Sequence, residues 1–201
     1  MNTIINVGRS FGSGGGFVGK AIGEKLGIPV FDNELISKAA EESGYSKSLF
    51  AKGEEKSLFS VSSFFASGRL SYLDNGYVND NMLFNIQSEV IRNIADKGDA
   101  VIIGRCADYL LRDRPCLNVF IDGPEEYRIR RLMENENLSA EEAEKLMRRK
   151  DRTRETYYNY YTFGAWGQAS NYHLCVDSSI LGIDGTADFI IDFGRRAGLV
   201  K

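Results

Sequence analysis

Short apolar runs alternate with helical patterns along most of the 201-residue chain. The strand-like runs, each bounded by turn residues, cover 3–7, 28–31, 100–103, 117–121 and 174–176. Apolar positions at helical spacing predict helices over 16–26, 33–42, 81–97, 107–111, 125–135, 140–160 and 185–196. Because strands alternate with helices, the pattern predicts an α/β fold with a five-stranded, mainly parallel sheet and helices on both faces.

One segment, 57–80, interrupts this alternation. Its sequence, SLFSVSSFFASGRLSYLDNGYVND, is rich in serine, glycine, asparagine and aromatic residues. We interpret it as an insertion within a single domain that spans 1–201. Two roles fit it: covering a bound substrate, or forming a homodimer contact through its aromatic side chains.

Composition and charge narrow the classes of function. A net charge of -3 argues against a general nucleic-acid binder. No apolar run approaches the roughly 18 residues that a membrane span requires, and the chain enters strand-like sequence without a basic leader, so we expect a cytoplasmic protein. Cys106, Cys116 and Cys175 are widely spaced in apolar surroundings, which predicts buried, reduced thiols and no zinc site. The only histidine, His173, is expected to be structural.

The first candidate functional segment is residues 7–27, VGRSFGSGGGFVGKAIGEKLG, which has the order strand, glycine-rich loop and helix. Backbone amides at such a helix N-terminus bind phosphate, and the motif G-x-x-x-x-G-K-[ST] adds a lysine and a hydroxyl to them. One literal match to that motif ends at Lys20, but Ala21 follows it and has no hydroxyl. The helical period of Val18 and Ile22 places Lys20 about one turn into the helix, directed away from the phosphate.

A second register agrees better with the strand and helix boundaries. It makes the phosphate cradle from five consecutive residues, Gly12, Ser13, Gly14, Gly15 and Gly16. Gly15 then stands where the lysine is expected, and Arg9, one residue after the strand and Gly8, is the nearest replacement for the missing charge. The alternative is a glycine-rich turn that only lets the strand and the helix pack closely.

The segment GRSFGSGGGFVGKAIGEKLGIPVFDNELI resembles the opening of the cytidylate kinase-like branch of the P-loop nucleoside monophosphate kinases. Resemblance resumes at VIIGRCADYLL, LNVFIDGPEEYRIRRL and DRTRETYYNYYTFGAWGQASNYHLCVDSSILGID, so it covers most of the chain except 57–80. It implies the three-layer P-loop NTPase fold with a helical lid over 140–166. It also implies transfer of the terminal phosphoryl group of ATP, with Mg²⁺, to a CMP-like or dCMP-like nucleotide. Phe17, two residues after Gly15, stands where the resemblance places the magnesium-binding serine or threonine.

The resemblance also suggests where the acceptor nucleotide binds. Arg105 and Asp108 follow a predicted strand, at the carboxyl edge of the sheet where ligands bind. By similarity, Arg105 holds the acceptor phosphate and Asp108 contacts its base or ribose; the alternative is a surface ion pair. Asp32 follows another strand and either orients the acceptor or a magnesium-bound water, or caps the next helix.

Charged residues late in the helix predicted over 140–160 are the candidate lid. Arg148, Asp151 and Arg154 lie at a spacing of three, and Arg148 and Arg152 lie at a spacing of four. By resemblance, the lid brings these arginines over the phosphates, with Asp151 and Arg154 matching the family's D-x-x-R segment. The alternative is a solvated helix paired with its glutamates. Ser139 and Glu142 predict a capping box at the start of this helix.

Together these features predict an ATP-dependent phosphotransferase acting on a nucleoside monophosphate. Two alternatives stay open. The missing lysine favours a nucleotide-binding sensor that no longer catalyses, and the unmatched 57–80 segment favours a small-molecule kinase whose acceptor is not a nucleotide.

Overall fold

The computed structural model of the protein describes residues 2–42 and 80–201. The predicted insertion, 57–80, therefore lies outside the described residues except for Asp80, which begins a helix.

The described strands form a single parallel sheet. They are β1 (Ile4–Arg9), β2 (Val30–Phe31), β3 (Ala100–Ile103), β4 (Leu117–Asp122) and β5 (Leu174–Asp177). The strand order is β2-β3-β1-β4-β5, with every neighbouring pair parallel. The predicted five-stranded parallel sheet is confirmed. β1 is longer than expected and includes Arg9, which the sequence analysis placed just after the strand.

Helices cover both faces of this sheet. They are α1 (Gly15–Leu26), α2 (Asn33–Glu42), α3 (Asp80–Lys97), α4 (Ala107–Leu110), α5 (Glu125–Glu136), α6 (Ala140–Thr162) and α7 (Ser178–Arg196). The capping box predicted at Ser139 and Glu142 starts α6. α7 begins earlier than the predicted residue 185, and Gly182, with φ 67° and ψ -174°, interrupts its helical backbone. None of the described helices is both long and apolar enough to span a membrane.

The core lies on the two faces of the sheet because successive strand residues point to opposite sides. On one face Ile5 and Val7 of β1 pack with Ile22 of α1 and Ile190 of α7. On the other face Ile4 and Ile102 pack with side chains of α3. This three-layer arrangement places the end of β1 in the middle of the carboxyl edge of the sheet, between the ends of β3 and β4.

The prediction of three buried cysteines is wrong at one position. Cys106 and Cys116 are buried, but Cys175 is exposed. β5 is the edge strand of the sheet, so one side of it has no neighbouring strand. The apolar run 174–176 does not show that the strand lies at the edge of the sheet, because a short run of this kind can form an edge strand or an internal one.

Candidate active site

The glycine-rich loop joins β1 to α1, and two of its amides bond locally: Ser13 donates to the carbonyl oxygen of Ser10 at 3.4 Å, and Gly15 donates to Ser13 Oγ at 3.3 Å. Gly12 and Gly14 have φ angles of 84° and 80°, a backbone conformation that favours glycine. Gly14 is the N-cap of α1, and no side chain caps the helix there. The first amides of a helix have no carbonyl partner within the helix. This end of α1 therefore directs N–H groups and the positive end of the helix dipole towards the cleft.

Gly15 has no space for a side chain. A Cβ atom at this position would lie 2.5 Å from the Cβ of Arg9 and 3.1 Å from the Cβ of Ile121. A lysine at position 15 is therefore incompatible with the present position of Arg9. The Cβ of Arg9 and a side chain at position 15 would occupy the same space, so the presence of Arg9 excludes the lysine.

The Arg9 side chain extends across the loop base to β3. Its Nη1 atom occupies the space where a Cβ atom of Gly104 would stand, so any larger residue at position 104 would displace the guanidinium. Burial, and then repulsion from Arg154 and Arg105, lowers the pKa of Arg9 to about 9. Among the salt bridges between described residues, none includes Arg9. This half-buried cation thus faces other cations, and none of the salt bridges between described residues gives it a carboxylate partner.

A cleft of about 300 Å³ opens beside the loop. Its walls come from β1, the loop, α1, the ends of β2 and β3, α5 and α6. The charged residues that line it are Arg9, Lys20, Asp32, Arg131, Glu136 and Arg154. Amides at a helix N-terminus and several guanidiniums in one cleft form a site for a multiply charged anion.

Two predicted lid residues contact the loop backbone. Arg154 Nη1 donates a hydrogen bond to the carbonyl oxygen of Arg9 at 3.0 Å, and the Arg154 guanidinium lies 5.1 Å from the ring centroid of Phe11. Asp151 Oδ1 accepts a hydrogen bond from the amide of Phe11 at 2.7 Å. Burial lowers the pKa of Arg154 to about 10. The structure therefore brings Arg9, Asp151 and Arg154 together.

The other two predicted lid arginines lie elsewhere. Arg148 is exposed and pairs with Glu125 and Glu144 at 2.5 and 2.9 Å. Arg152 is exposed as well, and neither residue lines the cleft. This placement corresponds to the solvated helix face that the sequence left as the alternative.

The predicted acceptor residues, Arg105 and Asp108, do not line the cleft. Arg105 has a positive φ of 58°, and its guanidinium lies 5.3 Å from the ring centroid of Tyr157. Asp108 Oδ2 accepts a hydrogen bond from the hydroxyl of Tyr158 at 2.7 Å. Burial raises the pKa of Asp108 above its ordinary value. Asp108 therefore fastens α6 to the start of α4.

Replacing Tyr158 with phenylalanine tests this attachment. The change leaves a half-buried carboxyl group without its hydroxyl donor, so we expect the free energy of unfolding to fall by about 1 to 3 kcal/mol. Urea unfolding of the purified protein measures it. Tyr160→Phe is the matched control because Tyr160 is 60% exposed. Equal stability of the two variants would show that the hydrogen bond contributes nothing.

Asp32 fills one of the two roles that the sequence left open, the helix cap, and its role towards the acceptor or magnesium stays a prediction. Its Oδ1 accepts hydrogen bonds from the amides of Glu34 and Leu35, both at 3.1 Å, and so caps α2. The residue also lines the cleft, and its negative charge favours the protonated form of Arg9.

Three residues in or beside this site were not assigned to it from the sequence. Arg131 lines the cleft beside Gly14, flanked by Phe17 and Tyr127, with its guanidinium 5.7 Å from each ring centroid. Lys20 lines the cleft too, although the helical period predicted that it points away. Ser178 is fully buried, and its hydroxyl lies 2.5 Å from the carbonyl oxygen of Ser13. The segment EEYRIRRL contains Arg131, but it holds three arginines, and the sequence does not show which of them faces the loop.

The pattern of the cytidylate kinase-like family matches residues 4–180. The chain belongs to the cytidylate kinase-like family. The predicted resemblance and the predicted P-loop fold class are thereby confirmed.

Individual relatives of this cytidylate kinase-like chain are distant. A cytidylate kinase of Aeropyrum pernix is 28% identical over 108 residues, which are 53% of this chain and 62% of the relative. The match therefore spans less than two thirds of that relative's own length.

Solved structures agree on the fold. An uncharacterised protein from Eubacterium ventriosum is 28% identical with a TM-score of 0.70, and the alignment covers 94% of this chain and 96% of the other. A shikimate kinase from Acinetobacter baumannii, solved with shikimate, is 15% identical with a TM-score of 0.53, covering 98% and 94%. The protein TT1252 from Thermus thermophilus is 17% identical with a TM-score of 0.56, covering 100% and 99%. The last two similarities concern the fold alone.

Proposed function

We propose that this protein is an ATP-dependent phosphotransferase that phosphorylates a nucleoside monophosphate of the CMP or dCMP type. The observation that carries the proposal is the pairing of the glycine-capped N-terminus of α1 with the half-buried guanidinium of Arg9 in one cleft. Family membership and the P-loop kinase fold support a phosphotransferase in general, and the name of the Aeropyrum pernix relative supports the acceptor class.

The cleft supplies what phosphoryl transfer requires. Such enzymes position two substrates and neutralise the charge that spreads over the moving phosphoryl group. The loop amides would hold the donor phosphates. Arg9, Arg131 and Arg154 would supply the positive charge that a lysine supplies in other P-loops.

Magnesium would come with the nucleotide. Mg²⁺ keeps several waters and phosphate oxygens as ligands and needs only one or two carboxylates from the protein. Within the described part of the chain, no three acidic, histidine or cysteine side chains form a metal cluster, but the carboxylate of Asp32 lines the cleft. Asp32 therefore fits a magnesium ion held mainly by ATP, and the ion would neutralise phosphate charge there.

The acceptor phosphate is assigned to Arg105. Its strained backbone and its position next to Arg9 support a role in binding. Arg105→Ala is expected to weaken acceptor binding by about 1.5 to 3 kcal/mol, the range for a charge-assisted hydrogen bond, and to leave ATP binding nearly unchanged. Titration calorimetry with each ligand measures this, with exposed Arg112→Ala as the control. An equal loss for both ligands, or no loss for either, would contradict the assignment.

The decisive experiment for the function is a phosphoryl-transfer screen. The protein is incubated with ATP and Mg²⁺ against a panel of nucleoside monophosphates and small alcohols, including shikimate. We expect a diphosphate product from CMP or dCMP. Transfer to an alcohol alone would replace the proposal with the small-molecule kinase.

A second function, nucleotide sensing without catalysis, is favoured by one specific observation. Phe17 occupies the position of the magnesium-binding hydroxyl and is 56% exposed at the cleft. ATP binding without transfer to any acceptor in the screen would support this second function.

A further inference from the structure

α6 carries a single stripe of residues that docks on the rest of the protein. Ala143 and Met147 are buried, and Asp151, Arg154 and Tyr158 continue the same face at helical spacing. The three polar residues of the stripe bond to the Phe11 amide, the Arg9 carbonyl oxygen and the Asp108 carboxylate. α6 is thus attached to the end of β1, to the glycine-rich loop and to α4.

Arg128 of α5 completes the attachment to the loop. Its Nε atom donates to the carbonyl oxygen of Phe11 at 2.8 Å, and its Nη2 atom pairs with Asp151 Oδ2. The Arg128 and Asp151 side chains are only 12% and 20% exposed. The amide and the carbonyl of Phe11 are therefore held by two residues that also hold each other.

The attachment continues into the glycine-rich loop itself. A Cβ atom on Gly12 would lie 2.9 Å from the carbonyl oxygen of Arg128, so the loop packs directly on α5. Phe11 lies between Arg9, the proposed charge carrier, and Gly12, the first residue of the phosphate cradle. A displacement of Phe11 must move both.

We infer that Arg128 and Asp151 are positioning residues that fix the phosphate loop and Arg9 through the backbone of Phe11. This inference rests on the proposed function for its kinetic consequence but not for its structural one. It changes the role of Asp151, which the family resemblance assigned to a lid that closes over the phosphates. Neither residue needs to touch a substrate to act.

The first test is amide hydrogen exchange in the ligand-free protein. Arg128→Lys keeps the charge but lacks the planar fork that binds Phe11 and Asp151 together. Asp151→Asn is the milder change, because an amide oxygen can still accept from Phe11 while the ion pair with Arg128 is lost. We expect exchange across residues 9–17 to be at least about tenfold faster in both variants. Arg130→Gln and Glu155→Gln, exposed residues on the same two helices, are the matched controls.

The second test is steady-state kinetics. Since the loop holds the donor phosphates, KM for ATP should rise about 10-fold to 100-fold in Arg128→Lys, while KM for the acceptor stays constant. A purely structural role would lower only the amount of folded enzyme, which changes neither KM. Unchanged loop exchange, or an unchanged KM for ATP in an active enzyme, would overturn the inference. If the wild-type protein transfers no phosphoryl group, the proposed function fails and the exchange rates alone decide the positioning role.

Discussion

Arg9→Gln is expected to lower the turnover of phosphoryl transfer by about 10³-fold. Arginines that stabilise the moving phosphoryl group contribute about 10³ to 10⁵ in rate in other phosphoryl-transfer enzymes, and Gly15 provides no lysine to share that role here. Arg9 is the charged side chain packed most closely against the loop, with its Cβ touching Gly15 and its guanidinium on Gly104. Glutamine keeps the Cβ and part of the side-chain volume, and it removes the charge and the forked donors of the guanidinium.

The measurement is initial-rate kinetics under saturating ATP and Mg²⁺, with the acceptor identified by the screen. Lys20→Gln tests the competing register, because Lys20 also lines the cleft. Arg130→Gln is the control for loss of an exposed arginine. A severe defect in Lys20→Gln, with normal turnover in Arg9→Gln, would show that the literal lysine motif is the working one.

Gly15→Lys is expected to reduce transfer by more than about 100-fold, although it restores the residue that P-loops usually carry. Its Cβ atom would overlap the Cβ of Arg9 at 2.5 Å and press on Ile121 at 3.1 Å. Overpacking of this kind costs about 1 to 3 kcal/mol even where neighbours can shift. At this position the shift would move either Arg9 or the start of α1, and both belong to the proposed phosphate site.

The same geometry predicts a rescue. In the double variant Arg9→Gly, Gly15→Lys, the arginine Cβ is absent and the lysine gains its space. We expect this double variant to be at least about tenfold more active than either single change, whereas independent effects would make it less active than both. Circular dichroism checks that all variants are folded. Additive losses in the double variant would contradict the idea that Arg9 and a lysine are alternatives for one space.

The sequence predicted the fold well because the fold depends on patterns that are local. Runs such as AVII in β3 are too short and too apolar for surface helices, and turn residues bound each of them. The order of strand, glycines and helical pattern also located the phosphate-binding loop at the start of α1. Three consecutive glycines after a strand favour a tight turn that exposes backbone amides at the beginning of a helix. Helix ends were harder to place: the irregular backbone of Gly182 hid the start of α7.

The side chains around the cleft could not be predicted in the same way. Helical spacing groups Arg148 with Arg152 and, equally well, Asp151 with Arg154, but only tertiary packing decides which group meets the loop. The packing of Ala143 and Met147 into the protein turns Asp151 and Arg154 inward and leaves Arg148 in solvent. For Arg128 and Arg131 the deciding contact is the approach of α5 to Gly12 and Gly14, which are far away in the chain.

The packing of Arg9 has an evolutionary consequence. Arginine at position 9 requires glycine at positions 15 and 104, because side chains at either place would overlap it. Mutations at these three sites are therefore not independent, and a lineage can exchange lysine for arginine only if the changes occur together or through an inactive intermediate. Among relatives, the three positions should covary, and a chain with lysine at the position of Gly15 should lack the arginine. The identity of three residues would then divide the family into two lineages before any of its members is assayed.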